Sequence, residues 1–481
     1  MTLFQLLDSV EYEGKVQDCE ISAITSDSRQ VEKDNVFICI PGLKFDGHDH
    51  AQQALEKGAA AVVVQRDLGL SRQIMVPDTH AAYGIMSANY FGNPARKLKL
   101  MGVTGTNGKT TITYLMKHIL ECAGKRVGLI GTIHNEIADM VLPAKYTTPD
   151  PLQLHAMLAR MVEAGCEYVV MEVSSHALAQ QRVSGCRFVT AAFTNLTQDH
   201  LDYHHTMEEY YQCKKLLFQL CDNAILNLDD KYGRRLVEEI DNCKVHTYSC
   251  TSHEANYTAH NIKFSAQGSR FALMAGEQLF KVQFCMPGMF SVANALAAAV
   301  SCIAAGVDLE TVIRGLSECA GVTGRVEILP TNTPYTVIRD YAHSPDGLKN
   351  VLETVREFAP GRVVALFGCA GNRDRTKRPL MAEIVSRLSD FCILTSDNPR
   401  DESPERIVED ALPGLKKNNT PYKIIVDRYE AIKWALENSQ PDDILILAGK
   451  GHEDYQVLDF GTIHFDEKEI VLDLLGKQDV R

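Results

Sequence analysis

The chain has 481 residues, 45% of them hydrophobic, enough to bury several cores and too many for one compact domain. A formal net charge of -13, with no basic stripe, argues against a nucleic-acid or anionic-membrane partner, so any anionic ligand must be met by local cations. The fourteen cysteines are scattered without a CxxC pair, which points to reduced thiols. The N-terminus "MTLFQLLDSVEYEGK" lacks a basic region ahead of a long apolar one, and the expectation is a cytoplasmic protein without membrane insertion.

Through residue 97, short apolar runs ("NVFICI", "AAAVVV") alternate with helical stretches such as "HAQQALEKGA", and Gly92, Asn93 and Pro94 read as a linker. Residues 1–97 are therefore expected to form a smaller αβ domain. From Leu98 to Arg325 a strand–loop–helix pattern recurs: "KLMGVTG", "RVGLIGT", "YVVMEVSS", "TAAFTNL" and "NAILNLDD" predict a parallel sheet covered by helices. A third series over 326–481 contains "RVVALFGCAG", "FCILTSDNPR" and "ILILAGKGHE", each an apolar run ending in a polar loop. The fold class is α/β in three domains, the last one Rossmann-like, with ligands expected at the carboxyl ends of the strands.

The stretch "GVTGTNGKTT" follows an apolar strand and precedes the helical "TITYLMKHILECAG", the context a phosphate-binding loop requires. Gly105, Thr106, Asn107 and Gly108 would bring backbone N–H groups to phosphate oxygens at the helix start, with Thr111 next to them. Lys109 would neutralise charge and the Thr110 hydroxyl would hold magnesium. Val103 stands where the usual spacing has a glycine. Glu172 closes "YVVMEVSSH", as an acidic residue does when it faces a nucleotide's magnesium from a neighbouring strand.

Farther on, "FTNLTQDHLDYHH" puts His200 and His204 four apart, the spacing of two zinc ligands on a helix, but no glutamate follows His200 and a structural role is the better reading. The helix "MEEYYQCKKLLF" is amphipathic, and on it Lys214 and Lys215 read as solvated lysines.

Twelve ordered motifs, among them "TSDSR", "GTNGKTT", "YTTPD", "MEVSSHALAQQR", "TNLTQDHLDYH", "YYQCKKLLF", "DYAHSPDGL", "SDNPR" and "GKGHEDYQ", resemble the Mur ligase family, ATP-dependent enzymes that add amino acids to the nucleotide precursor of bacterial peptidoglycan. The resemblance implies that ATP phosphorylates a D-glutamyl carboxylate of a UDP-N-acetylmuramoyl-dipeptide, that an amine attacks the acyl phosphate, and that ADP and phosphate leave. It also implies two magnesium ions, with Thr110 and Glu172 serving the first and Glu172 and His200 the second. Lys214 matches the position that reacts with carbon dioxide to give a metal-binding carbamate, which contradicts the solvated reading above. Such chemistry needs the neutral amine, hence a lowered pKa.

By the same resemblance, Asn294, Arg325, Asp340 and His343 would line the nucleotide. Ser28 would contact the uridine portion, while Thr147, Thr148, Ser174, Gln180 and Arg182 would grip the sugar-peptide portion. The "SDNPR" loop resembles the form that takes meso-diaminopimelate rather than lysine. Asp397, Asn398, Pro399 and Arg400, with Arg373, Gly449 and Glu453, would form that pocket.

Arg400 can pair two hydrogen bonds with a carboxylate that lysine lacks, and a desolvated arginine left unpaired costs about 2 to 5 kcal/mol. The remaining alternatives are a lysine-adding ligase and, in a different class, an ATP-binding regulator without turnover. The protein is expected to be a monomer.

Overall fold

The computed structural model describes residues 1–476 apart from Lys15, Leu43, Lys44 and Ala266; the last five residues of the third predicted domain lie outside the described residues. Among the described residues the strands form three main sheets and a two-stranded ribbon. The first sheet has four parallel strands in chain order, Ala23–Thr25, Asn35–Ile38, Ala61–Val64 and Gln73–Met75. Its inner strands are buried at every position, and apolar at all but Asn35, because both faces are covered. Val36, Ile38 and Val63 enter one core, while Phe37, Val62 and Val64 enter the other.

The second sheet has eleven strands. Its centre is parallel, in the order Val127–Ile130, Tyr168–Glu172, Lys99–Thr104, Phe188–Phe193, Cys221–Asn227 and Lys244–Ser249. Lys99–Thr104, first of these in sequence, therefore lies between strands that come later, and the crevice at its carboxyl end is a topological switch point. Helices Lys109–Cys122 and Met289–Ala304 cover one face through Ile112, Leu115, Val292 and Leu296. Helices Pro151–Glu163 and Met207–Lys215 cover the other through Leu154, Leu158 and Tyr211.

The sequence reading of a parallel sheet holds for this centre and misses both edges. Gly268–Ala275 and Gln278–Phe284 extend one edge antiparallel beyond Tyr257–Ser265, and the hairpin His134–Ile137 with Met140–Pro143 closes the other.

The third sheet runs Glu327–Ile328, Thr336–Asp340, Ile444–Ala448, Val363–Cys369, Phe391–Ser396 and Tyr422–Ile424, all parallel except the first. It is tied to the second by Arg325, whose Nη2 donates to Thr110 Oγ1 (3.1 Å), by Asn107 Nδ2 donating to Asp346 Oδ2 (2.9 Å), and by the Lys377–Asp199 ion pair (2.5 Å). The connecting backbone is pinned as well. Gly324 O accepts from Tyr341 N (3.0 Å), and Gly324, at φ +69°, sits so close to Gly451 and His452 that a Cβ would collide with their backbone.

The cysteines are free thiols, and no helix among the described residues is long and apolar enough to cross a membrane.

Candidate active site

The glycine loop lies at the carboxyl end of Lys99–Thr104 and runs into helix Lys109–Cys122, whose N-cap is Gly108 in the left-handed region at φ +89°. Only glycine suits this position, since a Cβ would also meet Asn294 Oδ1 at 2.5 Å. The loop is braced from the neighbouring strand end: Thr106 N donates to Asn195 O (2.9 Å), Asn107 N to Asn195 Oδ1 (3.0 Å) and Thr194 Oγ1 to Asn107 O (2.6 Å). Val103 is wholly buried within the strand and packs in the core, so the loop turns only at Gly105. A glycine at 103 has no structural task here.

Lys109 folds back on its own loop, donating to Gly105 O (2.9 Å) and Thr106 O (2.8 Å). Lys214 reaches the same Gly105 O at 2.9 Å and lies 4.5 Å from the Tyr210 ring centre. Its side chain is 1% exposed, so the reading as a solvated lysine fails; Lys215, next along the helix, is the one that reaches the rim and pairs with Glu239. Burial, reinforced by the nearby Lys109 charge, drives the Lys214 pKa well below 10.5. Burial also lowers Lys109, partly opposed by Glu172 and Asp199.

Glu172, 1% exposed, accepts from Thr132 N (2.8 Å) and Thr132 Oγ1 (2.9 Å), one bond to each carboxylate oxygen. His200 stands in the left-handed region at φ +53° on the cleft rim, where loss of hydration holds its pKa down to about 4 against the pull of Asp199. Burial pushes Asp199 up, but His200 and Lys377 together more than offset it and hold the carboxyl below its ordinary range. Lys109, Thr110, Glu172, His200 and Lys214 all line one cavity of about 510 Å3.

His204 does not join His200 in a metal pair. It is buried, shares a hydrogen bond with Ser175 Oγ (2.9 Å) and stacks on Tyr210. Among the described residues no group of three or more His, Cys, Asp or Glu could hold a metal unaided. This donor set fits magnesium, which takes one or two carboxylates and completes its shell with water and phosphate oxygens.

The cavity wall also carries Thr147, Thr148, Ser174 and Arg182. Thr148 Oγ1 donates to Glu172 O (2.8 Å) and accepts from Ser174 N (3.1 Å); Arg182 donates to Thr148 O (2.8 Å) and, through Nε and Nη2, to Gln180 Oε1 (3.0 and 2.8 Å). Gln180 thus acts on the cavity through Arg182. Ser28 is not among the lining residues; its carbonyl accepts from Lys57 Nζ at 2.7 Å.

A second cavity of about 100 Å3 adjoins the first across Asn107, Gly108 and Arg325 and is lined by Asn294, Asp340 and His343. Asp340 accepts from Val326 N and Ala342 N (2.7 Å each), and burial raises its pKa.

From the third sheet, Arg373 lines the large cavity, whereas Asp397, Asn398, Pro399, Arg400, Gly449 and Glu453 are not among its lining residues. Arg400 donates to Gly371 O (2.7 Å), and burial, with Arg373 nearby, lowers its pKa. Asn398 Nδ2 donates to Glu453 Oε2 (2.9 Å), and Gly449 leaves no room for a Cβ beside Asp397 Oδ2. Sequence reasoning missed Thr132, Asn195, Asp199, Tyr210, Tyr341 and Lys377. Asn195 and Asp199 lie inside "TNLTQDHLDYH", Tyr210 inside "YYQCKKLLF", Tyr341 inside "DYAHSPDGL" and Lys377 inside "GNRDRTKRP", so those motifs held a signal for them; Thr132 lies in none.

Family models match along the chain: "Mur ligase family, catalytic domain" at residues 20–91, "Mur ligase middle domain" at 103–302, and "Mur ligase, glutamate ligase domain" at 324–451. The UDP-N-acetylmuramoyl-L-alanyl-D-glutamate--2,6-diaminopimelate ligase 1 of Clostridium acetobutylicum is 46% identical over 99% of both chains. The ligase of that name from Caldanaerobacter subterraneus subsp. tengcongensis is 44% identical over the full length of both. A solved structure titled as a UDP-N-acetylmuramoyl-L-alanyl-D-glutamate--2,6-diaminopimelate ligase aligns with a TM-score of 0.72 at 34% identity, covering 99% of each chain.

Proposed function

Because the chain belongs to the Mur ligase family, we propose that it is the ATP-dependent ligase that joins meso-2,6-diaminopimelate to UDP-N-acetylmuramoyl-L-alanyl-D-glutamate during peptidoglycan precursor synthesis. The observation that carries this reading is the convergence on one cavity of the phosphate-type loop, the Thr147–Thr148–Arg182 wall and Arg373 from the third sheet. Such a cavity has a side for each of three reactants. Residues 1–97, 98–325 and 326–481 are the three domains on this view, in a monomer that works in the cytoplasm.

A carboxylate resists attack by an amine because oxide would have to leave. In the proposed reaction the D-glutamyl carboxylate oxygen bonds to the terminal phosphorus of ATP and the bond to the bridging oxygen breaks, releasing ADP. The amine nitrogen then bonds to the acyl carbon, gives up a proton, and inorganic phosphate departs with the original carboxylate oxygen. Two anions must approach each other in the first step, so the site has to supply positive charge and hold the reacting atoms in line.

Lys109 is released from Gly105 and Thr106 to follow the phosphates, and the N-terminus of its helix offers backbone donors. Asn294, Arg325, Asp340 and His343 hold the nucleoside side. Thr147, Thr148, Ser174 and Arg182 orient the sugar-peptide, with Gln180 steadying Arg182, and Ser28 belongs to the uridine end.

Magnesium would be held by Thr110 and Glu172 at one place and by Glu172, His200 and a carboxylated Lys214 at a second, and would supply positive charge between the two anions. Loss of hydration lowers the His200 pKa, which favours the neutral imidazole with a lone pair for this task. The Lys214 carbamate forms when the neutral amine bonds to the carbon of carbon dioxide and releases a proton. Its buried setting, with a lowered pKa, supports that step.

On the amine side, Arg400 and Arg373 face the distal carboxylate of diaminopimelate and Glu453 its ammonium. Incubation with UDP-N-acetylmuramoyl-dipeptide, ATP and an equal mixture of lysine and meso-diaminopimelate, followed by mass analysis, is expected to give the diaminopimelate tripeptide alone. A lysine tripeptide would establish the lysine-adding ligase instead, and the absence of any amine-dependent turnover would leave an ATP-binding regulator.

A further inference from the structure

Lys450, in the "GKGHE" loop, has no part in the pocket drawn so far, yet its side chain is 0% exposed. Its Nζ donates to Asn398 Oδ1 (3.2 Å) and to Glu453 Oε2 (3.1 Å). Asn398 Oδ1 also accepts from Val457 N (3.0 Å), so two donors fix which end of the amide is oxygen and leave Nδ2 to donate to Glu453. A buried ammonium is costly unless paired and hydrogen-bonded, and Lys450 is both. The two acidic and amide groups proposed to meet the amine substrate are therefore held by one cation behind them.

Charge leads to a second consequence. The charged side chains acting on Arg400 are Arg373, Asp397 and Glu453, and Lys450 pairs with Glu453. Lys450 cancels Glu453 and leaves the arginine charge in excess. Diaminopimelate entering with its reacting amine neutral carries two carboxylates and one ammonium, a net charge of -1; lysine in the same state is neutral. A pocket with an excess positive charge therefore attracts the former more strongly.

We propose that Lys450 is a specificity-determining positioning residue, which fixes Asn398 and Glu453 and supplies the positive charge that favours a substrate with a second carboxylate. This rests on the diaminopimelate reading given above. The test compares wild type with Lys450→Met in competition between diaminopimelate and lysine and in steady-state kinetics for each substrate. Thermal melting and the KM values for ATP and the nucleotide-dipeptide report on the fold.

In Lys450→Met the KM for diaminopimelate is expected to rise roughly tenfold or more, the preference over lysine to fall by a similar factor, and the other two KM values to stay within about twofold. Lys450→Gln keeps a donor for Asn398 without the charge, and it decides the matter if Lys450→Met does not fold. Its KM is expected to lie between the two, with the preference still reduced. A folded variant that keeps the wild-type preference, or that loses diaminopimelate and lysine equally, overturns the proposal. Wild type choosing lysine would instead overturn the reading on which it rests.

Discussion

A lysine with its Nζ sealed in protein and bound to one backbone carbonyl is under pressure to lose its proton, and Lys214 meets this with a second lysine close by. In its neutral form the amine is a nucleophile, and because its pKa is lowered that form is available at pH values where an exposed lysine would be protonated. Lys214→Ala is expected to lose activity by roughly a hundredfold or more, with partial recovery in formate or acetate, whose carboxylate takes the place of the missing carbamate. Steady-state rates with and without the added acid check this, and failure of every short carboxylate to restore turnover would rule the modification out.

The motif drew Lys214 toward the site, and it is buried and lines the cavity, while helix periodicity alone made it a solvated residue. Two lysines side by side on an amphipathic helix point about 100° apart, and only packing decides which turns inward. Thr132 was illegible for a related reason, since it acts on Glu172, a partner distant in sequence; Lys450 lies in a motif, but its contact with Asn398 comes from a distant loop.

At the scale of elements, what was local was readable. Strand, glycine loop and helix follow one another within residues 99–122, and each signal concerns its own neighbours. The same locality makes Gly108→Ala a sharp test. The new methyl demands a left-handed backbone from alanine and collides with Asn294 Oδ1. ATP affinity, measured by calorimetry, is expected to fall roughly a hundredfold with little change in nucleotide-dipeptide binding; unchanged ATP affinity would show that the loop takes no part in holding phosphates.

The missed antiparallel edge was legible in principle, because Tyr257–Ser265 alternates between half-buried and exposed positions over "HNIKFS", the pattern of a strand with one wet face. The order of strands in the large sheet was not, since it depends on Lys99–Thr104 pairing with Tyr168–Glu172 and Phe188–Phe193, both far along the chain. Among the site residues, those in the loop itself could be read from chemistry, whereas Asn294, Asp340 and Arg373 look like ordinary cap and loop residues until the fold brings them together.

For the whole molecule, the question is what holds the third sheet over the second. Asp199 sits in the middle of it, beside His200 on one side and paired with Lys377 at the start of helix Lys377–Leu388 on the other. Lys377→Met leaves Asp199 without its cross-unit partner and loosens the placement of Arg373 against the cavity. The expected result is a kcat lower by roughly ten- to a hundredfold with the KM for ATP nearly unchanged, accompanied in solution scattering by a larger radius of gyration. Unaltered kcat and radius would mean that the pair is an incidental rim contact.

The covalent tether between those sheets is also one of the groups that touch the glycine loop. Gly324 is wedged against the backbone at 451–452, and the very next residue extends its guanidinium to Thr110. Swinging the upper unit aside would therefore draw Arg325 off Thr110, and on the proposed function it would make opening of the cleft and release of the nucleotide one mechanical event. A compound lodged beneath this tether would have no need to resemble any reactant: by stopping a single bend in the chain, it would keep the spent nucleotide in and the next one out.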